Sequence, residues 1–280
     1  MVLGPCTQGR LPIVNAARFK LFVKVKGDSV GPARHAERLA NISNLSKPYL
    51  ARTVCQMCNL YSNMIPADAM RRLFDVAAEK NRLGNAEPLP AIYPKHMGPV
   101  VRKDEDGSRE LVPLSWGFRT TKKSKKTGAI IQPGAWNNAR DDKVRSSGLW
   151  KWSFEERRCL VPASSFCEAK GRNPATYYWF ALNVDEDRPP FAFAGMWQTS
   201  RYEGKEGPEE TETYTVITTS ANEIVKPIHP QRMPVILDPE DYEQWMNGSA
   251  EEAFELLQPF DADKMQIVLS GEGERSDVGS

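Results

Sequence analysis

The stretch Arg158-Cys159-Leu160-Val161-Pro162-Ala163-Ser164-Ser165-Phe166-Cys167-Glu168 decides how this chain folds. Its Cys159–Pro162 portion reads as a short apolar strand, and Glu168 ends an otherwise apolar run with a carboxylate. Strands of the same kind recur downstream at Thr176–Leu182, Phe191–Trp197, Tyr214–Thr219 and Val235–Leu237, with Met265–Leu269 as a last one. Upstream, Pro99–Lys103 and Arg109–Pro113 flank Asp106-Gly107 and predict a hairpin. Ser115-Trp116-Gly117-Phe118 then leads into the basic loop Lys122-Lys123-Ser124-Lys125-Lys126. Helices are fewer. Pro66 suits a first helical turn, and Met70, Leu73, Phe74, Ala77 and Ala78 recur at helical spacing before Gly84. Two late helices are expected at Pro239–Met246 and Ala250–Leu257. Many short strands with few helices predict an α+β fold: mainly antiparallel strands in a curled, barrel-like sheet with peripheral helices.

Composition narrows the function classes. Of 280 residues, 40% are hydrophobic and 26% charged, which describes an ordinary globular chain. The net charge of +1 hides a split. Residues 1–57 hold nine Lys/Arg against two Asp/Glu, a surplus of +7, and the remainder carries −6. A mildly acidic body needs a local basic patch for any nucleic-acid contact. No apolar run approaches the ~18–20 residues of a membrane span, and no secretory h-region follows a basic start. Five cysteines (6, 55, 58, 159 and 167) make no disulfide framework, so a reduced, intracellular setting is expected: cytoplasmic and nucleoid-associated if the source is bacterial. Three domains follow. Residues 1–57 form a basic N-terminal extension, read as a mis-called start, a propeptide or a transit segment. Residues 58–270 form a single domain, and 271–280 a disordered tail.

Four stretches carry residues that structure alone does not demand. The first is Met57-Cys58-Asn59-Leu60-Tyr61, because a cysteine directly after methionine can become residue one. A first-position cysteine bears an α-amine with a pKa near ~8 beside its thiol. Such a 1,2-aminothiol forms an imine with an aldehyde and closes a five-membered thiazolidine through sulfur. The others are Trp136-Asn137-Asn138-Ala139-Arg140, the Arg158–Glu168 run, and Ile228-His229-Pro230-Gln231-Arg232-Met233-Pro234. Each has a plainer reading. Cys58 also reads as a small buried hydrophobe, Asn138 as a turn cap, Glu168 as the partner of Arg158 or Arg140, and His229 as a satisfied core residue. Cys55-Gln56-Met57-Cys58 has the spacing of a metal or dithiol site, but Cys159 and Cys167 do not supply a matching pair.

In combination and order, Met-Cys-Asn-Leu-Tyr, Asn-Ala-Arg, Arg-Cys-Leu-Val-Pro-x-x-x-Phe-x-Glu, Phe-Ala-Gly-Met-Trp and His-Pro-x-Arg-Met-Pro resemble the SOS-response-associated peptidase family, the abasic-site shielding proteins. The resemblance runs from Cys58 to about Leu269. It implies a covalent bond from an N-terminal Cys58 to abasic sites in single-stranded DNA, with no cofactor and no metal, by a monomer. By that analogy Asn138 orients the adduct, Glu168 handles protons near the amine, and His229 serves as acid or base during ring closure or reversal. Arg140 and Arg232 hold phosphates, with Thr218 in the backbone groove. Leu60 stands where many relatives carry arginine, and Cys167 departs from the aromatic usual before the glutamate. With residues 1–57 attached, Cys58 has an amide and cannot close the ring. Two other classes compete: a thiol peptidase acting on its own leader or other peptides, and a non-covalent single-strand DNA module. The latter uses Trp116, Trp136 and the basic residues Lys122, Lys123, Lys125 and Lys126.

Overall fold

A computed structural model describes residues 59–183, 189–204 and 206–278; Cys58 and the basic extension lie outside the described residues. Seven strands come first: Tyr61–Asn63 (β1), Leu89–Ile92 (β2), Met97–Lys103 (β3), Arg109–Trp116 (β4), Phe118–Lys123 (β5), Ile130–Trp136 (β6) and Asn138–Arg140 (β7). Eight follow: Arg158–Ala163 (β8), Ser165–Gly171 (β9), Ala175–Leu182 (β10), Phe191–Glu203 (β11), Pro208–Ser220 (β12), Arg232–Pro234 (β13), Ile236–Leu237 (β14) and Met265–Glu272 (β15). Short helices Ala67–Leu73 (α1), Asp141–Val144 (α2), Lys151–Glu156 (α3), Tyr242–Asn247 (α4) and Ala250–Glu255 (α5) lie between them.

The Asp106-Gly107 hairpin forms as its sequence predicts. Gly107 takes φ 84, and β3 pairs β4 antiparallel with Val100 opposite Val112 and Val101 opposite Leu111. From this pair a sheet runs through β8 to β11, and β11 pairs β12 antiparallel while β12 pairs β4 in parallel. The order β12-β4-β3-β8-β11 therefore returns on itself and makes a five-stranded closed barrel. A second, open sheet has the order β15-β10-β9-β1-β2.

The Arg158–Glu168 stretch joins the two sheets. Its first half is β8 of the barrel and its second half is β9 of the open sheet, and every residue from 158 to 168 is buried. At the crossing, the Ser164 amide donates to Ser62 O at 2.9 Å, and its hydroxyl accepts from the Met64 amide at 3.0 Å. The run is apolar without alternation because both faces of the barrel strands are covered. Val101, Leu111, Leu160, Ala194 and Ile217 share a cluster with Phe74, Phe154, Trp245 and Ala253 of the helical segments. Their neighbours Val100, Val112, Val161, Phe193 and Val216 pack with Tyr61, Phe166 and Phe180 of the open sheet. Gly98 has no side chain because a Cβ there would collide with the hydroxyls of Tyr61 and Tyr214, which bond each other at 2.5 Å.

Several expectations are corrected. Helix α1 ends at Leu73, well before Gly84, because Asp75 turns the chain with φ 53; Ala77 and Ala78 are exposed, and Leu73 is largely so. The Pro239–Met246 helix begins as a 3₁₀ turn over Pro239–Asp241 before α4. The basic loop is the tip of a hairpin of its own, β5 with β6, with Lys122, Lys123, Lys125 and Lys126 exposed. Residues beyond Gly271 are not a loose tail through Val278: β15 reaches Glu272, and Asp277 is buried. Arg158 does not pair Glu168. Its guanidinium donates to the carbonyls of Phe154 and Trp245 at 2.8 and 2.6 Å, and also to Gly248 O, satisfying helix-end acceptors of α3 and α4.

Candidate functional site

Strand β1 carries the site because it follows Cys58 and lies against β9. Tyr61 stands opposite Phe166, and the Cys167 amide donates to Leu60 O at 2.9 Å, so the pairing leads on to Asn59 and Glu168. Both line one cleft, together with Leu60, Tyr93, Tyr177 and Arg275. The Glu168 side chain is buried, and its Oε1 finds no hydrogen-bond partner among the described residues. Desolvation drives its pKa well above the ordinary glutamate value and so favours the protonated carboxyl. A carboxyl in that state suits general acid catalysis.

The opposite side of the site comes from β7. It lies parallel to β12, with Asn138 opposite Val216 and Arg140 opposite Thr218. Asn137, just before it, accepts through its carbonyl from the Val216 amide at 3.1 Å and from Trp116 Nε1 at 2.8 Å. With its backbone held, its side-chain Nδ2 donates to Asn59 Oδ1 at 2.7 Å. The residue next to Cys58 is thus tied to the Asn137-Asn138 pair while sharing a cleft with Glu168.

A second cluster continues from β7 through β12 to β13. Arg232 donates to Asp141 Oδ1 at 2.5 Å, to Asp142 Oδ1 at 3.1 Å and to Thr218 O at 3.1 Å. Arg140 grips Asp142 with Nε and Nη2 at 2.8 and 2.7 Å, a bidentate pairing that holds the Asp142 carboxyl below its ordinary pKa. His229 is buried beside Arg232. Its Nδ1 lies 2.8 Å from Arg232 O and 3.2 Å from Arg232 N. Both contacts tie Nδ1 to the Arg232 backbone, whichever tautomer the ring takes.

Of the sequence-predicted residues, Glu168 shares a cleft with Asn59, and Asn138 follows the Asn137 that bonds Asn59. Arg140, Arg232 and His229 belong to the second cluster. Trp116 and Thr218 are corrections to the expected DNA surface. Trp116 is buried, stacked on Tyr214 at 6.3 Å between ring centroids, and offers no face to a base. Thr218 is buried with its hydroxyl on Ala139 O at 3.3 Å. Both arginines are engaged by aspartates, which sequence reading did not anticipate. It also missed Asn59, Asn137, Tyr93, Tyr177 and Arg275; the Asn137-Asn138 doublet was the one local signal. Leu60 packs with Cys167 and Trp179 in a small apolar cluster. Burial raises the Cys167 thiol to about 12 and pushes the fully buried Cys159 thiol up as well, so neither is a ready thiolate.

The family described as SOS response associated peptidase (SRAP) matches residues 57–269. The protein named abasic site processing protein YoqW of Bacillus subtilis is 36% identical over 134 residues, covering 46% of this chain and 57% of that one. Abasic site processing protein HMCES of Gallus gallus is 28% identical over 206 residues, covering 64% of this chain and 60% of its own length. This chain thus spans a little over half of the curated relatives it matches. A crystal structure of a Bordetella bronchiseptica protein aligns with TM-score 0.58 at 22% identity, covering 77% of this chain and 99% of that one. A Bacteroides thetaiotaomicron structure aligns with TM-score 0.56 at 22% identity, covering 77% and 91%. At that identity the likeness concerns the fold.

Proposed function

Because the chain belongs to the SOS response associated peptidase family, we propose that it processes abasic sites in DNA and bonds to them through Cys58. The relatives named as abasic site processing proteins support the lesion. One observation carries the chemistry: a desolvated Glu168 carboxyl, its Oε1 without a partner among the described residues, shares its cleft with Asn59, the residue after Cys58.

The reading requires Cys58 to be the first residue of the working protein, with residues 1–57 removed or never attached. Its α-amine adds to the open-chain sugar aldehyde at C1′, giving a carbinolamine. Glu168, holding its proton, protonates the departing hydroxyl, which leaves as water and yields the imine. The Cys58 sulfur then adds to the imine carbon while the thiol proton ends on nitrogen, closing a thiazolidine. The Glu168 carboxylate is reprotonated from the released amine proton. Asn138 orients the adduct, and His229 moves protons on the sugar side through Nε2. Single-stranded DNA is the proposed partner, met by a monomer. No helix among the described residues is long and apolar enough to cross a membrane.

The test uses protein expressed from its own gene, its intact mass recorded, mixed with a single-stranded oligonucleotide bearing one abasic site. A covalent band that survives denaturation is expected from species beginning at Cys58. Cys58→Ser keeps the amine but loses the ring-closing sulfur, so only a borohydride-trappable imine should remain. Stable crosslinking by a species that retains residues 1–57 refutes the aminothiol route. Release of the leader with no adduct on DNA points to the thiol-peptidase reading.

A further inference from the structure

The C-terminal residues beyond the matched family region do something specific. Three contacts pin them across the open sheet: Trp179 Nε1 donates to Glu274 O at 2.9 Å, Tyr93 Oη to Arg275 O at 2.9 Å, and the Asp277 amide to Pro90 O at 2.9 Å. The buried Asp277 carboxylate accepts from Ser165 Oγ at 2.6 Å, and Ser165 in turn bonds Ser62 of β1 at 2.8 Å. Backbone fixed on both sides of Arg275 leaves only its side chain to move. The guanidinium lies 5.2 Å from the centroid of the Tyr177 ring.

Two clefts meet at that pair. The first holds Glu168 and Asn59; the second opens beside Arg172 and Glu272; Tyr177 and Arg275 line both. A chain leaving Glu168 by this path passes Arg275. The arginines expected to hold phosphates, Arg140 and Arg232, are bound to Asp141 and Asp142. Arg275, exposed, has no carboxylate partner among the described residues. A guanidinium stacked on an aromatic face keeps its in-plane N–H edges available, the geometry that grips a phosphodiester bidentately.

We propose that residues Glu274–Asp277 form a strap that places Arg275 on the phosphodiester backbone of a strand leaving the Glu168 cleft, with Tyr177 beneath it. The proposal rests on the DNA-processing reading and adds a binding residue to it. The Asp277–Ser165 bond is a side-chain anchor of the strap, and it acts on DNA only through the placement of Arg275.

The experiment measures non-covalent affinity of the full chain for an intact single-stranded oligonucleotide over a salt series, beside adduct yield on an abasic one. Arg275→Ala should weaken affinity by about 3- to 10-fold at low salt and flatten the log–log salt slope by roughly 0.7, the release expected for one single-strand phosphate. Arg275→Lys should recover part of the affinity and the slope, and Arg275→Glu should lose more than alanine. Asp277→Ala removes the Ser165 bond but leaves the three backbone anchors, so it should cost less than Arg275→Ala, and the double variant should add little to Arg275→Ala, since the aspartate acts only by placing the arginine. Wild-type affinity and slope in Arg275→Ala, with adducts still forming, overturn the strap alone. Affinity lost in Arg275→Ala but no adduct from wild-type protein beginning at Cys58 overturns the crosslinking reading and leaves the strap standing. No affinity of the wild type for the strand overturns both.

Discussion

Replacing Glu168 by glutamine separates what the site costs from what it does. The wild-type carboxyl is buried, and its Oε1 lacks a partner among the described residues, so ionising it inside the fold is opposed by desolvation. Its folded pKa is raised above the ordinary value of 4.5. Below that value the carboxyl is protonated in both folded and unfolded chains and contributes no pH-dependent term. As pH rises past it, the unfolded chain releases its proton while the folded chain retains it, and wild-type stability falls until the folded pKa is passed. Glutamine has nearly the same volume and no proton to lose. Glu168→Gln should therefore match wild type near pH 4 and be more stable at pH 8. The gain grows with pH across the interval between the two pKa values, each pH unit of it being worth about 1.4 kcal/mol. For a domain of this size that is roughly 3–6 °C in Tm per pH unit. Adduct formation should meanwhile slow by about 10²–10⁴, the range for a lost general acid. Thermal melts of both proteins from pH 4 to 8, beside initial crosslinking rates, decide the matter. A variant less stable than wild type at pH 8, or a gap that does not grow with pH, refutes the desolvated-acid argument.

Three further outcomes are expected. Trp116→Ala removes a fully buried indole and should cost about 3–5 kcal/mol; a melt within a degree or two of wild type, with lost DNA binding, would return Trp116 to the DNA surface. Asp142→Asn frees Arg140 and one arm of Arg232, so single-strand affinity at low salt should rise by roughly two- to fivefold, in keeping with the modest worth of exposed ion pairs. Titration by fluorescence anisotropy checks this, and weaker binding means the aspartate positions the arginines instead of screening them. His229→Ala should slow ring closure and reversal by about 10²–10⁴; quenched time courses of adduct formation and decay would show it, and a loss confined to affinity contradicts the proton-transfer role.

How much was legible follows from which signals are local. The β3–β4 hairpin was readable because Asp106-Gly107 writes its turn into adjacent residues. The barrel strands and the curled, barrel-like sheet were readable, but not which strands pair to close it. Covering both faces erases the alternation that would say which residues point inward, and the β3–β8 and β12–β4 pairings join distant segments. Strand β9 was hidden inside the Arg158–Glu168 run, since only Pro162 and the Ser164-Ser165 pair, with no glycine, mark the crossing. Helix α1 stopped at a positive φ taken by aspartate, where sequence looks for glycine. Trp116 misled because a core tryptophan and a stacking tryptophan are the same letter. The tail misled because its anchors, Pro90, Tyr93, Ser165 and Trp179, are about a hundred or more residues away in the chain.

The site itself was legible as residue types and not as an electrostatic arrangement. Sequence placed Glu168 beside possible arginine partners; the fold gives Arg158 to helix carbonyls and Arg140 to Asp142, and so leaves the glutamate buried without either, its pKa raised by desolvation. Those two assignments depend on each other. An arginine close enough to pair Glu168 would hold it ionised and remove the acid that the proposed imine formation needs. Diverting the cations to other acceptors preserves that acid, at the expense of two arginines that meet a phosphate already engaged. A strand binding at Arg140 and Arg232 must compete with Asp141 and Asp142, which lowers the free energy gained there. Affinity then has to come from cations outside that network, and among the residues around the Glu168 cleft Arg275 is the one so placed.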